Sequence, residues 1–251
     1  MSDALAVELP AERLAKAVDV MQTTAHESVL RFGREGLSSS MVDPANVLMV
    51  VVDLDAEAFT RVGDGKFPAG VNLDTIADHL DFGGPEDSAV LEYDEETRKL
   101  HIEVGDAYDA EMALIDPDSI RDEPDIPDLE LPNEVIVTGR AIKRAIKAAD
   151  LVSDHVHIRG DVDEGVWFEA QGDTDENRYR FDGDEIRHAD VSETATSILS
   201  LEYLKDVKKE IPSDAEVRLR FGEDFPVKLN YAFADGHGSV EHMQAPRIQQ
   251  D

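Results

Sequence analysis

The chain has 251 residues, with 24 Lys and Arg against 56 Asp and Glu, and a formal net charge of −32. Hydrophobic residues at 41% exclude wholesale disorder, and 251 residues make one large domain or two of ordinary size. The absence of cysteine excludes disulfides, thiolate metal sites and a cysteine nucleophile.

The acids run from end to end instead of forming a tail, which points to a surface adapted to high salt. At ~1 M salt the Debye length is ~3 Å, so carboxylate self-repulsion is largely screened. The opening "MSDALAVELP" lacks the basic and apolar regions of a secretory signal. The longest apolar run, "VLMVVVDL" at 47–54, is too short for a bilayer and reads as a buried strand. The expectation is a protein of a highly saline cytoplasm, with an ordinary acidic protein as the alternative.

In chain order, "PAERLAKAVDVMQ" (10–22) is an amphipathic helix with Leu14, Ala17, Val18 and Met21 inward. Two strands, "SVLRF" and "LSSSMVD", follow around the turn "GREG". "NLDTIADHLDF" (72–82) is a short helix, and "SAVLEYDEETRKLHIEV" is a hairpin. The stretch 116–132, "DPDSIRDEPDIPDLELP", has four prolines and seven acids and reads as an extended connector. The same series then recurs. "TGRAIKRAIKAADLV" is a helix, "HVHIRG" and "GVWFEAQG" are strands, "LSLEYLKDVKKEI" (199–211) is a helix, and "AEVRLRFGEDFPVKLNYAF" is a hairpin. Arg13 and Lys16 fall in register with Arg140 and Lys143, 127 residues later. Many short strands with two helices per half predict a duplicated α+β fold. The predicted organisation is a domain at 1–115, a connector at 116–133 and a second domain at 134–251.

Scarce positive charge is gathered on helices. Arg140, Lys143, Arg144 and Lys147 fall at i, i+3, i+4 and i+7, roughly 200° round the helix from Ile142, Ala145, Ile146 and Ala149. Lys205, Lys208 and Lys209 form a second stripe, and Arg13 and Lys16 belong to the first helix. Nine of the 24 basic residues therefore lie on outer helix faces. With no base-reading motif beside them, such stripes suit the phosphate backbone of nucleic acid, recognised without sequence.

The two-fold repeat, the connector and the strings "GLSSSMVDPANV", "AGVNLDTIADHL" and "FPVKLNYAFADGHGSVEHMQAPRI" resemble the PCNA family of sliding clamps over essentially the whole chain. The acidity resembles that of clamps from extremely halophilic archaea. The resemblance implies an α+β, duplicated DNA-clamp domain, with antiparallel sheets outside and four short helices inside per chain. Three chains would close into a ring around double-stranded DNA and act as a polymerase processivity factor in replication and repair. The nine basic residues would face the DNA. Asp74, Asp78 and Asp81 depart from the family's basic pattern in the second helix. Glu12, Asp19, Asp206 and Glu210 dilute the other stripes, so the lining should hold DNA weakly.

The resemblance also implies partners: replicative DNA polymerase, flap endonuclease, DNA ligase and clamp loader, each docking a short motif. The matching pocket positions are Met41, Val42, Asn46, Ile126, Leu129, Leu131, Pro226, Ala245, Pro246, Arg247 and Ile248. Apolar residues interleaved in an acidic, proline-stiffened strip also suit helix-in-groove recognition on their own account. Subunits would join through edge strands in "DAEMALI" (109–115) and "ENRYRF" (176–181), involving Glu111, Met112, Leu114, Arg178, Tyr179 and Arg180. Glu111 opposite Arg178 or Arg180 would make that pairing complementary in charge.

Catalysis has little support. His155 and His157 share a strand face but lack a third ligand, "VGDGK" lacks phosphate-loop spacing, and "DLDAE" and "DVDEG" are incomplete calcium patterns. No cofactor, resident metal, membrane association or catalytic residue is expected. A metal-dependent hydrolase and a non-clamp acidic interaction module are the competing readings.

Overall fold

A computed structural model describes residues 5–121, 129–181 and 183–247. The chain divides into two compact units: residues 1–43, 50–124 and 233–240, and residues 44–49, 125–232 and 241–251.

The first unit begins with β1 (Ala6–Pro10) and α1 (Ala11–Gln22), then β2 (Glu27–Gly33), β3 (Gly36–Val42) and β4 (Leu48–Asp55). The short β5 (Arg61–Val62), β6 (Phe67–Asn72), α2 (Leu73–Leu80), β7 (Ser88–Asp94), β8 (Lys99–Val104) and β9 (Tyr108–Ala113) follow. One sheet has the order β5-β1-β7-β8-β9, and a second group runs β4-β3-β2-β6. β9 is therefore an edge strand.

The second unit repeats this series element for element. It contains β10 (Asn133–Thr138), α3 (Gly139–Ala149), β11 (His155–Asp161), β12 (Gly165–Gln171), β13 (Glu176–Arg180), β14 (Ile186–Val191), β15 (Ala195–Ser200), α4 (Leu201–Glu210), β16 (Glu216–Phe221) and β17 (Val227–Phe233). The last strand, β18 (Gly238–Gln244), is divided between the units at residue 240, and β4 gives its first two residues, Leu48 and Met49, to the second unit. The pairings repeat as well: β14-β10-β16-β17 matches β5-β1-β7-β8, and β13-β12-β11-β15 matches β4-β3-β2-β6. All registered pairs are antiparallel. The duplicated α+β fold expected from the sequence is present.

Each helix starts where a backbone donor finds an acceptor. The Thr138, Asn72 and Ser200 side chains accept from Ala141, Thr75 and Glu202 backbone N–H groups, capping α3, α2 and α4. α1 follows Pro10, which offers no such oxygen, and Ala11 N donates to the Asp87 carbonyl at 2.9 Å instead. The helices are shorter than the sequence periodicity predicts. Leu199 and Ser200 belong to β15, because an N-cap residue is extended, and Asp81 and Asp150 close α2 and α3 as C-caps.

The apolar stripe of α3 is complete: Ala141, Ile142, Ala145, Ile146 and Ala149 are all buried. Leu14, Ala17, Val18 and Met21 play that part in α1, and Leu201, Leu204 and Val207 in α4. Gly139 lies so close to α4's end that a Cβ there would meet the Pro212 carbonyl oxygen at 2.0 Å. That approach lets Gly139 and Arg140 N–H groups bond Ala215 and Ser213 carbonyls at 2.8 and 2.9 Å. The apolar run 47–54 does form a strand, but burial alternates along it, with Leu48, Val50, Val52 and Leu54 inside and Asp53 and Asp55 exposed. It therefore lies on a half-solvated antiparallel sheet, and its length does not mean burial on both faces. Within the connector, Pro117–Ser119 forms one 3-10 turn capped by Asp116, because a proline is tolerated in a first helical turn.

In the second unit His242 is 1% exposed and its Nδ1 has no partner. Burial pushes its pKa down to about 3, so the folded chain holds it neutral. The unfolded chain protonates it near 6.5. Its contribution to stability is therefore full above that value and is lost as pH falls towards about 3. One such group makes the stability curve steeper by up to about 1.4 kcal/mol per pH unit. Urea titrations at fixed molar KCl between about pH 6 and about pH 4 should show a steeper loss in the native protein than in His242→Gln. Equal slopes would contradict the assignment.

Candidate functional site

The basic residues singled out from the sequence separate into engaged and unengaged groups. In the first unit Arg13 is held inward, its side chain 25% exposed, with Nη1 donating to the Ala58 carbonyl at 3.0 Å and Nη2 paired with Asp235 at 3.3 Å. Lys16 also has a partner within the chain. Asp74 of α2 accepts from Gln22 Nε2 at 2.7 Å and pairs with His26 at 3.0 Å, tying α2 to the end of α1.

In the second unit Lys205 pairs with Asp150 at 3.1 Å and Lys209 with Asp206 at 2.6 Å. Arg144 reaches Glu185 at 3.5 Å while remaining 65% exposed. Among the described residues Arg140, Lys143, Lys147 and Lys208 make no ion pair. Three of those four lie on α3, opposite its buried stripe, so the chain's scarce cations are most available on one helix face. Thr138 starts that face, and Asp150 closes it at its C-terminal end.

The edge strands β9 and β13 are built differently. On β9, Glu111 pairs with Lys99 of the neighbouring β8 at 2.7 Å, and that hydrogen bond holds the Glu111 carboxyl below its usual range. Met112 is buried and Leu114 half-buried. On β13, Arg178 pairs with Glu169 at 3.1 Å and Arg180 with Glu164 at 2.8 Å. Both guanidinium groups lie over the Trp167 ring, 4.8 and 5.5 Å from its centre. Burial raises the Glu169 carboxyl, but the Trp167 indole N–H with Arg159 and Arg178 outweigh it, and the carboxyl titrates below its usual range. Tyr179 donates to Glu185 at 2.6 Å; burial first and that carboxylate second push its phenol up to about 12. The charges expected to meet across a subunit contact therefore each have a partner in their own sheet. What remains unpaired is the outer backbone edge of each strand.

The pocket residues fall in both units. In the first, Met41 is buried and Val42 half-buried at the end of β3, where Arg121 donates to the Asp43 carbonyl at 3.0 Å. In the second, Asn46 adopts φ 58° in its turn, which Asn tolerates better than most side chains. Ala245 N donates to the Val47 carbonyl at 2.8 Å and Arg247 N to the Ile198 carbonyl at 2.7 Å. The Ser197 hydroxyl donates to the Phe225 carbonyl at 2.8 Å. β15 thus gathers the Phe225–Pro226 loop and the Ala245–Arg247 tail side by side. Pro246, Leu129 and Leu131 are half-buried. The Arg247 guanidinium lies against His155. Ile126 and Ile248 lie outside the described residues. Phe225, 47% exposed, is passed over by the sequence reading. An aromatic residue preceding a proline in an acidic loop is the signal that would have found it.

No group of three or more His, Asp or Glu side chains that could hold a metal ion occurs among the described residues. Among them, no helix is long and apolar enough to cross a membrane.

No protein-family model matches the chain. It is 45% identical over 242 residues to a DNA polymerase sliding clamp of Natronomonas pharaonis, covering 96% of this chain and 97% of that one. Identity to the DNA polymerase sliding clamp of Halobacterium salinarum is 43% over 240 residues, 95% of this chain and 96% of that one. Among solved structures, the fold matches A. fulgidus PCNA bound to the C-terminal region of FEN-1, with a TM-score of 0.91, 34% identity and coverage of 98% and 99%. It also matches PCNA from Thermococcus kodakaraensis, with a TM-score of 0.87, 26% identity and coverage of 96% and 99%. With relatives this similar over their whole length, and with a duplicated fold of the same kind, the chain belongs to the family of DNA polymerase sliding clamps.

Proposed function

We propose that this clamp works as a homotrimeric ring that encircles duplex DNA in a high-salt cytoplasm and tethers replication and repair enzymes without catalysing a reaction itself. The observation that carries the reading is similarity to sliding clamps over nearly the full length, together with two strands, β9 in one unit and β13 in the other, that are bonded on one side only. Backbone groups on such edges invite pairing with another chain, and β9 of one chain meeting β13 of the next closes a ring. The basic helix faces, chiefly that of α3, turn towards the phosphates. The domain limits at 115 and 134 and the connector between them belong to the same proposal.

Partner docking is placed on the strip of the second unit formed by Leu129, Leu131, the Phe225–Pro226 loop and the Ala245–Arg247 tail, with Asn46 contributing. The half-buried aliphatic groups and the exposed Phe225 ring offer an apolar surface in an otherwise acidic protein. A. fulgidus PCNA takes the C-terminal region of FEN-1, and we extend that mode of binding to this chain. Polymerase, flap endonuclease, ligase and clamp loader would each present a short motif to it.

Light scattering tests the assembly. Three chains of −32 place about −96 on one ring, so the mass should be that of three chains at about 2 M KCl and fall at low ionic strength as screening is lost. A single-chain mass in molar KCl would overturn the proposal.

Titration calorimetry tests the docking strip. A peptide with aliphatic and aromatic anchors one helical turn apart should bind at micromolar strength, about −8 kcal/mol. Leu129→Asp with Leu131→Asp should weaken it at least about tenfold, because a carboxylate would then be desolvated. Unchanged affinity would place the groove elsewhere.

A further inference from the structure

The two units have the same fold, but their helices do not have the same charge. α1 carries two acids and two bases, and α2 carries two acids with neither Lys nor Arg. α3 carries four bases and no acid, and α4 carries three of each sign. The helix pair of the first unit is therefore net −2 and its counterpart in the second net +4. Side-chain geometry widens the gap. Arg13 is turned inward to Ala58 and Asp235, and Lys16 has a partner within the chain. On α3, by contrast, Arg140 and Lys147 are exposed, Lys143 is half-buried, and none of the three makes an ion pair among the described residues. Arg144 stays exposed, with a long contact to Glu185 and the Tyr179 hydroxyl beside it.

We propose that contact with duplex DNA is confined to the second unit: the α3 face supplies the main phosphate contacts, joined on α4 by Lys208, which makes no ion pair among the described residues. α1 and α2, although equivalent in fold, stand off from the DNA. The inference rests on the ring reading and adds to it which half of each chain touches the nucleic acid. The physical reason is local. The four α3 cations span eight residues, about 10 Å of helix, and B-DNA offers one phosphate charge per ~1.7 Å of axis. Several phosphates therefore come within reach of one stripe. The face of α2 offers exposed Asp74 and Asp78, which repel phosphate or hold hydrated cations between them. In molar salt a lone, already paired guanidinium gains little from releasing counterions. A ring with three basic faces alternating with three acidic ones holds the duplex loosely and can slide along it.

Two measurements on the full-length protein test this. The first is the salt dependence of binding to linear duplex, for Arg140→Gln/Lys143→Gln/Lys147→Gln and for Arg13→Gln/Lys16→Gln. The α3 variant should flatten the log–log slope by up to ~0.9 per lost contact, whereas the α1 variant should leave it unchanged. Equal flattening by both, or flattening by neither, would overturn the assignment. The second is amine-reactive footprinting of rings loaded on closed circular duplex in molar KCl. Lys143 and Lys147 should become protected relative to free protein, and the reactivity of Lys16 should not change. Protection of Lys16 together with the α3 lysines would restore contact to both units and overturn the proposal. Failure of the ring reading looks different: a single-chain mass and no retention on circular DNA by the unmodified protein.

Discussion

An unpaired strand edge is a row of backbone donors and acceptors that water or another chain must satisfy, and the arrangement of this protein turns on two such edges. Each unit buries its two helices against its sheets, and each contains a strand, β9 or β13, that is bonded on one side only. On β9 the side chains are engaged inward through Lys99 and Glu111. On β13 the two arginines are drawn over Trp167 and held by Glu164 and Glu169. With the charges settled within each sheet, the backbone edge is what each strand can offer a neighbour. Complementary charge then contributes specificity at that contact more than it contributes strength.

Electrostatics governs the remainder of the surface. Carboxylates outnumber bases 56 to 24, and several of the bases are paired at 2.6 to 3.3 Å with neighbouring acids. Such exposed pairs stabilise little singly, and salt weakens them further. Their consequence is for binding: a cation already facing a carboxylate has less to offer a phosphate. α3 escapes this because its sequence contains no acid before Asp150. In a chain that suppresses positive charge nearly everywhere, that one face keeps its cations exposed.

Much of this was legible in the sequence, for reasons that can be named. The four helices show the 3.6-residue period, and the repeat is carried by basic residues in register as well as by element order. The cap residues and the apolar stripe of α3 follow from the same short segment. Less was legible where a contact joins distant positions. Arg13 reads as an outward cation, yet its partner Asp235 lies 222 residues away, and nothing local predicts that its side chain turns inward. The stacking of Arg178 and Arg180 on Trp167 depends on the register of β12 with β13, which residue spacing does not specify. Strands as short as β5 leave too few residues for a period to show. Phe225 stayed hidden because a lone aromatic in a polar loop carries no periodicity at all.

The central claim is that the two edges meet between chains. With no native cysteine to interfere, a disulfide can be placed across them: Glu111→Cys on β9, combined in one chain with Arg178→Cys or Arg180→Cys on β13. Oxidised in molar KCl and run under denaturing conditions, one of these double variants should yield a covalent species of three chains. Each single variant should remain as separate chains. If both double variants also remain as separate chains, the edges do not pair and the ring is closed in some other way or not at all.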